Sequence, residues 1–377
     1  MPDAVMVTSS FLPGRGGIET YLAELCDELA PRVAVLAAGS RDGRPLPRDL
    51  GYPADAGPGR MLAPGPRVAR AARDAAARHG TDRILFGTPW PLALLGPRLA
   101  HAGLRYAAVV HGAELLVPAA VPGVRRALAR ALAGAELLLP VSDFTAGRVE
   151  RLLRSQKLSV PPLDVLRARV DVDRFRPDAP AARARAAYGL GDRPVVLALG
   201  RLVRRKGVDR LVDALPEVRA RVPGAALVVA GTGPQERALR RRAAGVEGVV
   251  FAGRVPDADA PALYAAADVF ALPVADRWFG LEVEGLGIVL LEAQACGTPC
   301  VTGRSGGTPE AVLDGVTGYV VDATDPGALA ARLADLLADP ERARAFGRAG
   351  RDHVVAAFAR RPLPARLLDW LDGNPVR

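Results

Sequence analysis

Two glutamates, Glu284 and Glu292, stand eight positions apart, with a glycine-containing turn and an apolar run between them. The run over residues 288–295 predicts a short buried helix, and Gly297 is placed to end it. Glu284 then lies before the helix, and Glu292 lies just over one turn inside it. The glycine break allows both carboxylates to face one cleft, where each can accept hydrogen bonds from hydroxyl groups.

The start of this predicted helix is a candidate anion site. The backbone N–H groups of Gly287, Ile288 and Val289 would point out of the helix N-terminus, where anions bind readily. An anion site with a carboxylate on either side suits a sugar–diphosphate–ribose ligand, with Glu284 on the sugar and Glu292 on the ribose. The alternative is a surface loop glutamate followed by a first-turn glutamate that the helix dipole favours.

A second candidate cluster follows a predicted strand at 194–199 and reads Gly-Arg-Leu-Val-Arg-Arg-Lys-Gly, residues 200–207. Arg201 offers a planar fork for two phosphate oxygens, and Lys206 adds a compact charge. Together they can neutralise a leaving diphosphate. The alternative is an ordinary arginine-rich turn, since the chain has 50 Lys and Arg residues. Lys206, however, is one of only two lysines in the chain.

These two stretches carry a family resemblance. The run from Gly280 to Gly297 resembles the E-x7-E element of retaining glycosyltransferases of the GT-B type, family 4, and looks most like the PimB-type mannosyltransferases that use GDP-mannose. Residues 200–207 match the diphosphate motif of that family. The resemblance implies that a hexose moves from a nucleotide-sugar to an acceptor hydroxyl, with the leaving phosphate taking the acceptor proton. It also implies that arginine and lysine supply the positive charge, so that no metal is required.

The resemblance assigns further donor-site residues in both halves of the chain. His111 follows a predicted strand and is expected beside the donor sugar; a structural histidine is the alternative. Glycine turns and one strand end are expected to line the nucleotide-sugar site, with structural turns as the alternative. These residues are Gly16, Gly17, Gly200, Gly231, Arg254 and Val255.

The pattern of elements predicts an α/β protein. Short, continuous apolar runs alternate with helical patterns, which is typical of parallel sheets buried on both faces. The predicted strands are 4–8, 33–38, 83–87, 106–110, 136–140, 164–167, 194–199, 226–230, 249–252, 269–272, 299–302 and 318–321. The resemblance implies the GT-B fold: two Rossmann-like, doubly wound domains facing a central cleft, with a C-terminal helix crossing back to the first domain. We place the acceptor-binding domain at 1–172, the donor-binding domain at 173–355 and the returning helix at 356–377.

Local signals favour structure at three other places. Ser142 is a predicted helix N-cap, and a late helix is predicted over 329–337. Asp257 and Asp259 match a D-x-D pattern that binds metal in a different transferase fold. Because Pro261 follows, Asp259 is read as an N-cap instead.

Composition narrows the possible functions. Half of the residues are apolar and the net charge is +9. The sequence has no signal-peptide start and no apolar run of 18 residues, which predicts a cytoplasmic protein, at most at the inner face of the plasma membrane. The basic, apolar stretch 119–135 is either a solvated helix face or a contact with anionic membrane. Cys26, Cys296 and Cys300 read as structural thiols.

Several alternatives stay open from the sequence. The acceptor is expected to be a phosphatidylinositol mannoside, another glycolipid, a polysaccharide or a small natural product, and the donor could carry UDP in place of GDP. A sugar phosphorylase and a nucleotide-sugar epimerase are rival enzymes. A non-catalytic module that binds a nucleotide-sugar or nucleic acid is the rival of another class, although no nucleic-acid motif supports the latter.

Overall fold

The computed structural model describes residues 1–14, 16–38, 45–359 and 362–376. Within these residues the chain forms two compact units. The first unit comprises Met1–Arg167 together with the residues from Pro362 onward. The second unit comprises the residues between these two segments, starting at Ala168. The predicted returning helix at 356–377 includes Arg360, Arg361 and Arg377, which lie outside the described residues.

The first unit contains a parallel sheet of six strands among its described residues. The strands are β1 Ala4–Thr8, β2 Val33–Ala37, β3 Ala54–Ala56, β4 Arg83–Phe86, β5 Arg105–Val110 and β6 Leu137–Pro140. Their order across the sheet is β3-β2-β1-β4-β5-β6. The connecting helices are α1 Gly17–Leu29, α2 Pro66–His79, α3 Gly96–His101, α4 Ala113–Ala119, α5 Pro122–Ala133 and α6 Asp143–Ser155.

The second unit repeats this plan. Its strands in the described residues are β7 Val195–Leu199, β8 Ala226–Ala230, β9 Val249–Gly253, β10 Val269–Leu272, β11 Cys300–Gly303 and β12 Gly318–Val321. They are parallel and lie in the order β12-β11-β10-β7-β8-β9. The helices are α7 Ala181–Ala187, α8 Val208–Arg221, α9 Glu236–Arg242, α10 Ala260–Ala265, α11 Ile288–Ala295, α12 Thr308–Ala311, α13 Pro326–Ala338 and α14 Pro340–Ala357. The last helix, α15 Ala365–Asp372, belongs to the first unit.

Both sheets are covered on both faces by helices. Strands β1, β2 and β8 are buried along their whole length, as parallel strands between two helix layers must be. In α15, Trp370 is fully buried and its indole N–H donates to Glu136 at 3.0 Å, which anchors the C-terminal helix next to β6. The predicted fold class, with two doubly wound α/β domains and a C-terminal helix returning to the first, is confirmed.

The strands predicted for the first unit differ from the observed strands in two places. Residues 164–167 do not form a strand: the chain runs beside β6 and makes a single isolated bridge, between Leu138 and Leu163. The short edge strand β3 was missed, because its sequence, Ala-Asp-Ala, has no run of β-branched or aromatic residues. It forms because its backbone pairs with β2.

The strand order determines where a ligand site can form. In each sheet, the second and third strands are added on one side of the first strand, and the later strands are added on its other side. The order in which strands are added therefore reverses between β1 and β4 and between β7 and β10. Loops that leave the carboxyl ends of such neighbouring strands diverge to opposite faces and leave a crevice. The segments after β7 and β10 contain Arg201, Lys206 and Glu284, so the predicted residues lie at the crevice of the second unit.

Candidate functional site

Three loops meet at the carboxyl edge of the second sheet because β11, β10 and β7 are neighbours. The loop after β7 carries Lys206, the loop after β10 carries Glu284, and the loop after β11 carries Ser305. Glu284 is about 80 residues from Lys206 and about 20 residues from Ser305 in the sequence, yet it contacts both. The site is built from this adjacency.

Glu284 is a nearly buried carboxylate, 9% exposed, that is held by two cations. Lys206 Nζ lies 2.9 Å from Glu284 Oε2, and Arg205 Nε lies 3.3 Å from the same oxygen. Burial alone would raise the pKa of this carboxyl. The charges and hydrogen bonds of Lys206 and Arg205 outweigh burial and hold the pKa below its ordinary value. Glu284 is therefore an anion at neutral pH.

A tight turn fixes the position of Lys206. The chain leaves β7 and forms a 3-10 turn over Arg204–Lys206, and Gly207 then starts α8 with φ +69°. A Cβ on Gly207 would lie 2.1 Å from the carbonyl oxygen of Pro273, just after β10. Only glycine fits both the left-handed conformation and this close approach. The turn after β7 is therefore packed directly against the end of β10.

The backbone around Glu284 is held from the β11 side. The N–H of Glu284 donates to Ser305 Oγ at 3.1 Å, and the N–H of Gly307 donates to the Glu284 carbonyl at 3.0 Å. Ser305 Oγ in turn donates to Asp276 Oδ1 at 2.6 Å. Asp276 precedes a short hairpin that is closed by Arg277 and Glu282, whose side chains form an ion pair at 2.8 Å. The loop of Glu284 is thus preorganised by its neighbours.

We expect Gly306→Ala to disrupt this loop. Gly306 has φ +56°, and a Cβ there would lie 1.8 Å from the Glu284 carbonyl oxygen. The matched control is Gly315→Ala, where φ is +74° but nothing lies within 4 Å. Both variants carry the same left-handed strain, so their difference reports the collision. We expect Gly306→Ala to lose at least about 2 kcal/mol more free energy of unfolding than the control, measured by denaturant titration. Equal losses would contradict the packing described here.

Helix α11 begins and ends as the sequence predicts. Gly287 is the N-cap, and the N–H groups of Gly287, Ile288 and Val289 have no hydrogen-bond partner among the described residues. At the other end Gly297 adopts φ +77°, and its N–H donates to the carbonyl of Gln294. The N–H of Thr298 donates to Ala293, which completes a Schellman motif. The free N–H groups beside Glu284 can bind an anion.

Glu292 has different partners from Glu284. Tyr264 Oη donates to Glu292 Oε2 at 2.7 Å, and Arg174 and Asp257 are its charged neighbours. Burial raises the pKa of this carboxyl; the Tyr264 hydrogen bond and Arg174 only partly oppose that effect, and Asp257 adds to it. A half-buried carboxylate that has no salt-bridge partner among the described residues is costly to the fold. Groups of this kind are common at binding sites.

We expect Glu292→Gln to stabilise the protein at pH 7 by about 1 kcal/mol, a usual size for relief of strain at a functional site. Since the folded-state pKa of Glu292 is raised, its favourable contribution is present at low pH and is lost as the pH rises through that pKa. The gain should therefore shrink as the pH is lowered from 8 to 5, in thermal melts. Glu217→Gln, on the exposed face of α8, is the control. A gain that is independent of pH would refute the explanation.

The other predicted donor residues line the same edge of the sheet. Gly200 and Gly231 follow β7 and β8, and a Cβ on Gly231 would lie 2.0 Å from the Gly200 carbonyl oxygen. Arg254 is exposed and Val255 is half-buried just after β9. Arg201 is exposed and forms no ion pair with any described residue. Their binding roles remain predictions.

Arg201→Ala should lower turnover by about tenfold to a hundredfold, the usual effect of removing one charged hydrogen bond. Its melting temperature should not change, because its side chain makes no ion pair within the described structure. The measurement is kcat with a saturating donor beside a thermal melt. Arg237→Ala, another exposed arginine after β8, is the control. Full activity of Arg201→Ala would remove this residue from the site.

His111, Gly16 and Gly17 lie in the first unit. His111 is 8% exposed, and its Nε2 lies 2.9 Å from the carbonyl oxygen of Gly87. A carbonyl only accepts, so Nε2 carries the proton. Tyr21 packs edge-on against the imidazole, with 5.3 Å between ring centroids. Gly16 is the N-cap of α1, and Gly17 is its first residue.

Comparisons with known proteins identify the family of the chain. The family described as glycosyl transferases group 1 matches residues 182–353, and the one described as glycosyltransferase family 4 matches residues 15–174. A Mycolicibacterium smegmatis protein named GDP-mannose-dependent alpha-(1-6)-phosphatidylinositol monomannoside mannosyltransferase is 44% identical, over 98% of each chain. The chain belongs to the family 4 retaining glycosyltransferases of the GT-B type. This glycosyltransferase is also 36% identical, over 98% of each chain, to the Corynebacterium glutamicum GDP-mannose-dependent monoacylated alpha-(1-6)-phosphatidylinositol monomannoside mannosyltransferase.

The solved structures agree on the fold. The structure of Anabaena HepE in complex with UDP superimposes on this chain with a TM-score of 0.79. The superposition covers 95% of this chain and 96% of the HepE chain. The sequences are 20% identical, so this likeness concerns the fold alone.

Other sequence predictions have structural outcomes. Ser142 is an N-cap, since its Oγ accepts from the Thr145 N–H at 3.2 Å. Asp259 stands at the N-cap position of α10, but its side chain makes no capping hydrogen bond. Burial raises the pKa of the Cys296 thiol to about 12, and all three cysteines are buried and unpaired, as structural thiols are. No helix in the described part of the chain is both long and apolar enough to span a bilayer.

Proposed function

We propose that this glycosyltransferase moves mannose from GDP-mannose to a hydroxyl of a phosphatidylinositol mannoside. The observation that carries the proposal is the relationship over the whole chain, at 44% identity, to a relative with that named activity. The match covers 98% of this chain and so includes the domain proposed to bind the acceptor as well as the domain proposed to bind the donor. A match restricted to the second domain would support the donor alone.

The charges of the second unit suit a nucleotide-diphosphate donor. Lys206, Arg201 and the free N–H groups at the start of α11 are the groups that we assign to a cationic, hydrogen-bonding surface. In our proposal this surface binds the diphosphate and stabilises the charge that grows on it as the bond to the sugar breaks. Preorganisation matters here, because groups already in place need no rearrangement in the transition state.

The two glutamates are proposed to bind the sugar and the ribose of the donor. Both cations contact Oε2 of Glu284, so Oε1 is the oxygen proposed to accept from sugar hydroxyls. Glu292, which Tyr264 orients, is proposed to accept from the ribose hydroxyls. Arg254 and Val255 are proposed at the base, and Gly200 and Gly231 beside the nucleotide. His111, Gly16 and Gly17 are assigned to the donor sugar and the diphosphate by resemblance.

The proposed reaction exchanges two bonds on one face of the sugar. The bond from the anomeric carbon to the β-phosphate oxygen breaks, and a bond from that carbon to the acceptor oxygen forms. The acceptor proton passes to the leaving phosphate oxygen. Arginine and lysine neutralise the diphosphate in this scheme, and no metal is assigned a step.

The proposed lipid acceptor would require the reaction to take place at a membrane surface. We propose that the protein works at the cytoplasmic face of the plasma membrane and contacts its anionic lipids. The half-exposed side of α5, with Arg125, Arg126 and Arg130, is a candidate contact. Basic residues beside an apolar stripe favour an anionic interface.

The test is a transfer assay with purified phosphatidylinositol monomannoside and a panel of donors, with magnesium or with a chelator. We expect transfer from GDP-mannose, with UDP-glucose and UDP-N-acetylglucosamine at least about a hundredfold less efficient. Calorimetry with GDP and UDP should rank the two nucleotides in the same order. Transfer only from a UDP-sugar would overturn the donor assignment. Transfer from GDP-mannose to soluble glycans but not to the lipid would overturn the acceptor assignment.

A further inference from the structure

Arg205 was not identified as a candidate from the sequence, yet its guanidinium contacts the central carboxylate of the site. Its Nε lies 3.3 Å from Glu284 Oε2, and its side chain is 30% exposed against 11% for that of Glu284. Its carbonyl accepts from the N–H of Ala275 at 3.3 Å, which ties the turn to the end of β10. The preceding residue, Arg204, is exposed and forms no ion pair with a described residue.

Donor binding would affect the two cations that contact Glu284 differently. Lys206 is assigned to the diphosphate in the proposed function, so binding would draw its ammonium toward a second anion. Glu284 would then be a nearly buried carboxylate beside a diphosphate. Without another cation, both burial and repulsion by the phosphates would favour its protonation. A protonated Glu284 would lose one acceptor for sugar hydroxyls.

We propose that Arg205 is a positioning residue that keeps the Glu284 carboxylate charged and in place while Lys206 engages the diphosphate. This inference rests on the proposed roles of Glu284 and Lys206. Arg205 is suited to the task because its guanidinium is always charged and its planar fork is directional. Its contact with Oε2 leaves Oε1 for the sugar. Arg205 therefore acts on the sugar through Glu284 and touches neither the nucleotide nor the reacting atoms.

The other groups around Glu284 do not replace this function. From the β11 side Ser305 contacts only its backbone N–H, and Asp276, bonded to Ser305, carries a negative charge. Arg277 is paired with Glu282. The N-terminus of α11 is assigned to the diphosphate. Arg205 and Lys206 are thus the cations in contact with this carboxylate in the described structure.

The kinetic test uses Arg205→Gln, Arg205→Lys and the control Arg204→Ala. We expect Arg205→Gln to lower kcat/KM for the donor by about tenfold to a hundredfold, the range for a hydrogen bond to a charged group. Binding of GDP, which has no sugar, should change less than about threefold. Arg205→Lys should recover part of the loss, and Arg204→Ala should stay within about twofold of the parent protein. An equal loss of GDP affinity would overturn the proposal, because Arg205 would then act on the diphosphate directly.

A double-mutant cycle tests whether Arg205 acts through Glu284. In a Glu284→Gln background, Arg205→Gln should add less than about twofold, because the carboxylate it positions is gone. Full additivity would overturn the proposal. In Arg205→Gln alone, the acid limb of the pH profile of kcat/KM should move to higher pH, since the pKa of Glu284 rises when one of its cations is removed.

A carbon-13 NMR titration of the glutamate carboxyls needs no donor and no turnover. The Glu284 signal is the one lost in Glu284→Gln, and its pKa should be higher in Arg205→Gln than in the parent or in Arg204→Ala. An unchanged pKa would overturn the link between Arg205 and Glu284, whatever the substrate. The expected pKa change in a protein that transfers no mannose would refute the proposed function and leave this electrostatic link standing.

Discussion

Lys206→Ala is expected to lower kcat by about a thousandfold while the protein still folds. Lys206 is the lysine at the crevice of the second sheet, with a side chain that is 12% exposed. A preorganised cation in such a setting stabilises developing phosphate charge far more than a cation in water does. Removal of a single group of this kind from an acyl- or phosphoryl-transfer site costs between about a hundredfold and a hundred-thousandfold.

The effect on stability should be small by comparison. Arg205 remains beside Glu284, so the carboxylate is not left without a cation. We expect a loss of about 1–2 kcal/mol in the free energy of unfolding. Single-turnover kinetics with a saturating donor, beside a denaturant titration, separates the two effects. Arg204→Ala, two residues away in the same turn, is the control for a lost surface charge. Turnover within tenfold of the parent protein would exclude Lys206 as the main diphosphate cation.

Much of the second unit could be predicted from the sequence because its signals are local. Helix α11 begins at Ile288 and ends before Gly297 as predicted, since an apolar run between glycines leaves few other options. The motif around Arg201 and Lys206 falls at the end of β7, where ligands bind in such sheets. Turn glycines and strand ends are visible in a sequence because they depend on neighbouring residues.

The contacts of the site could not be predicted in the same way. Arg205 is one arginine among many, and only the adjacency of β7 and β10 brings it to Glu284. Tyr264 lies on α10, and its bond to Glu292 depends on how two helices pack. The segment 164–167 was predicted to be a strand and runs beside β6, yet the single bridge falls at Leu163, just before it, and no ladder forms. Pairing partners distant in sequence decide each of these cases.

Glu284→Gln is expected to cause the second large loss of activity. This substitution separates sugar recognition from nucleotide binding. The amide keeps the shape of the side chain but removes the negative charge, so it accepts hydroxyl hydrogen bonds more weakly and no longer holds Arg205 and Lys206. We expect kcat/KM for the nucleotide-sugar to fall by about a hundredfold to a thousandfold. Glu284→Ala should fall at least as far.

Binding of GDP should move in the opposite direction or not at all. Glu284 is an anion beside the proposed diphosphate site, because its pKa is held below the ordinary value. Its removal releases Lys206 and takes away a charge that repels phosphate, so calorimetry should give GDP an affinity equal to or higher than that of the parent protein. Glu292→Gln is the matched comparison, because a ribose contact is shared by GDP and the whole donor and both affinities should fall together. Loss of GDP binding in Glu284→Gln would reverse the assignment, placing Glu284 on the nucleotide and leaving the sugar to other residues.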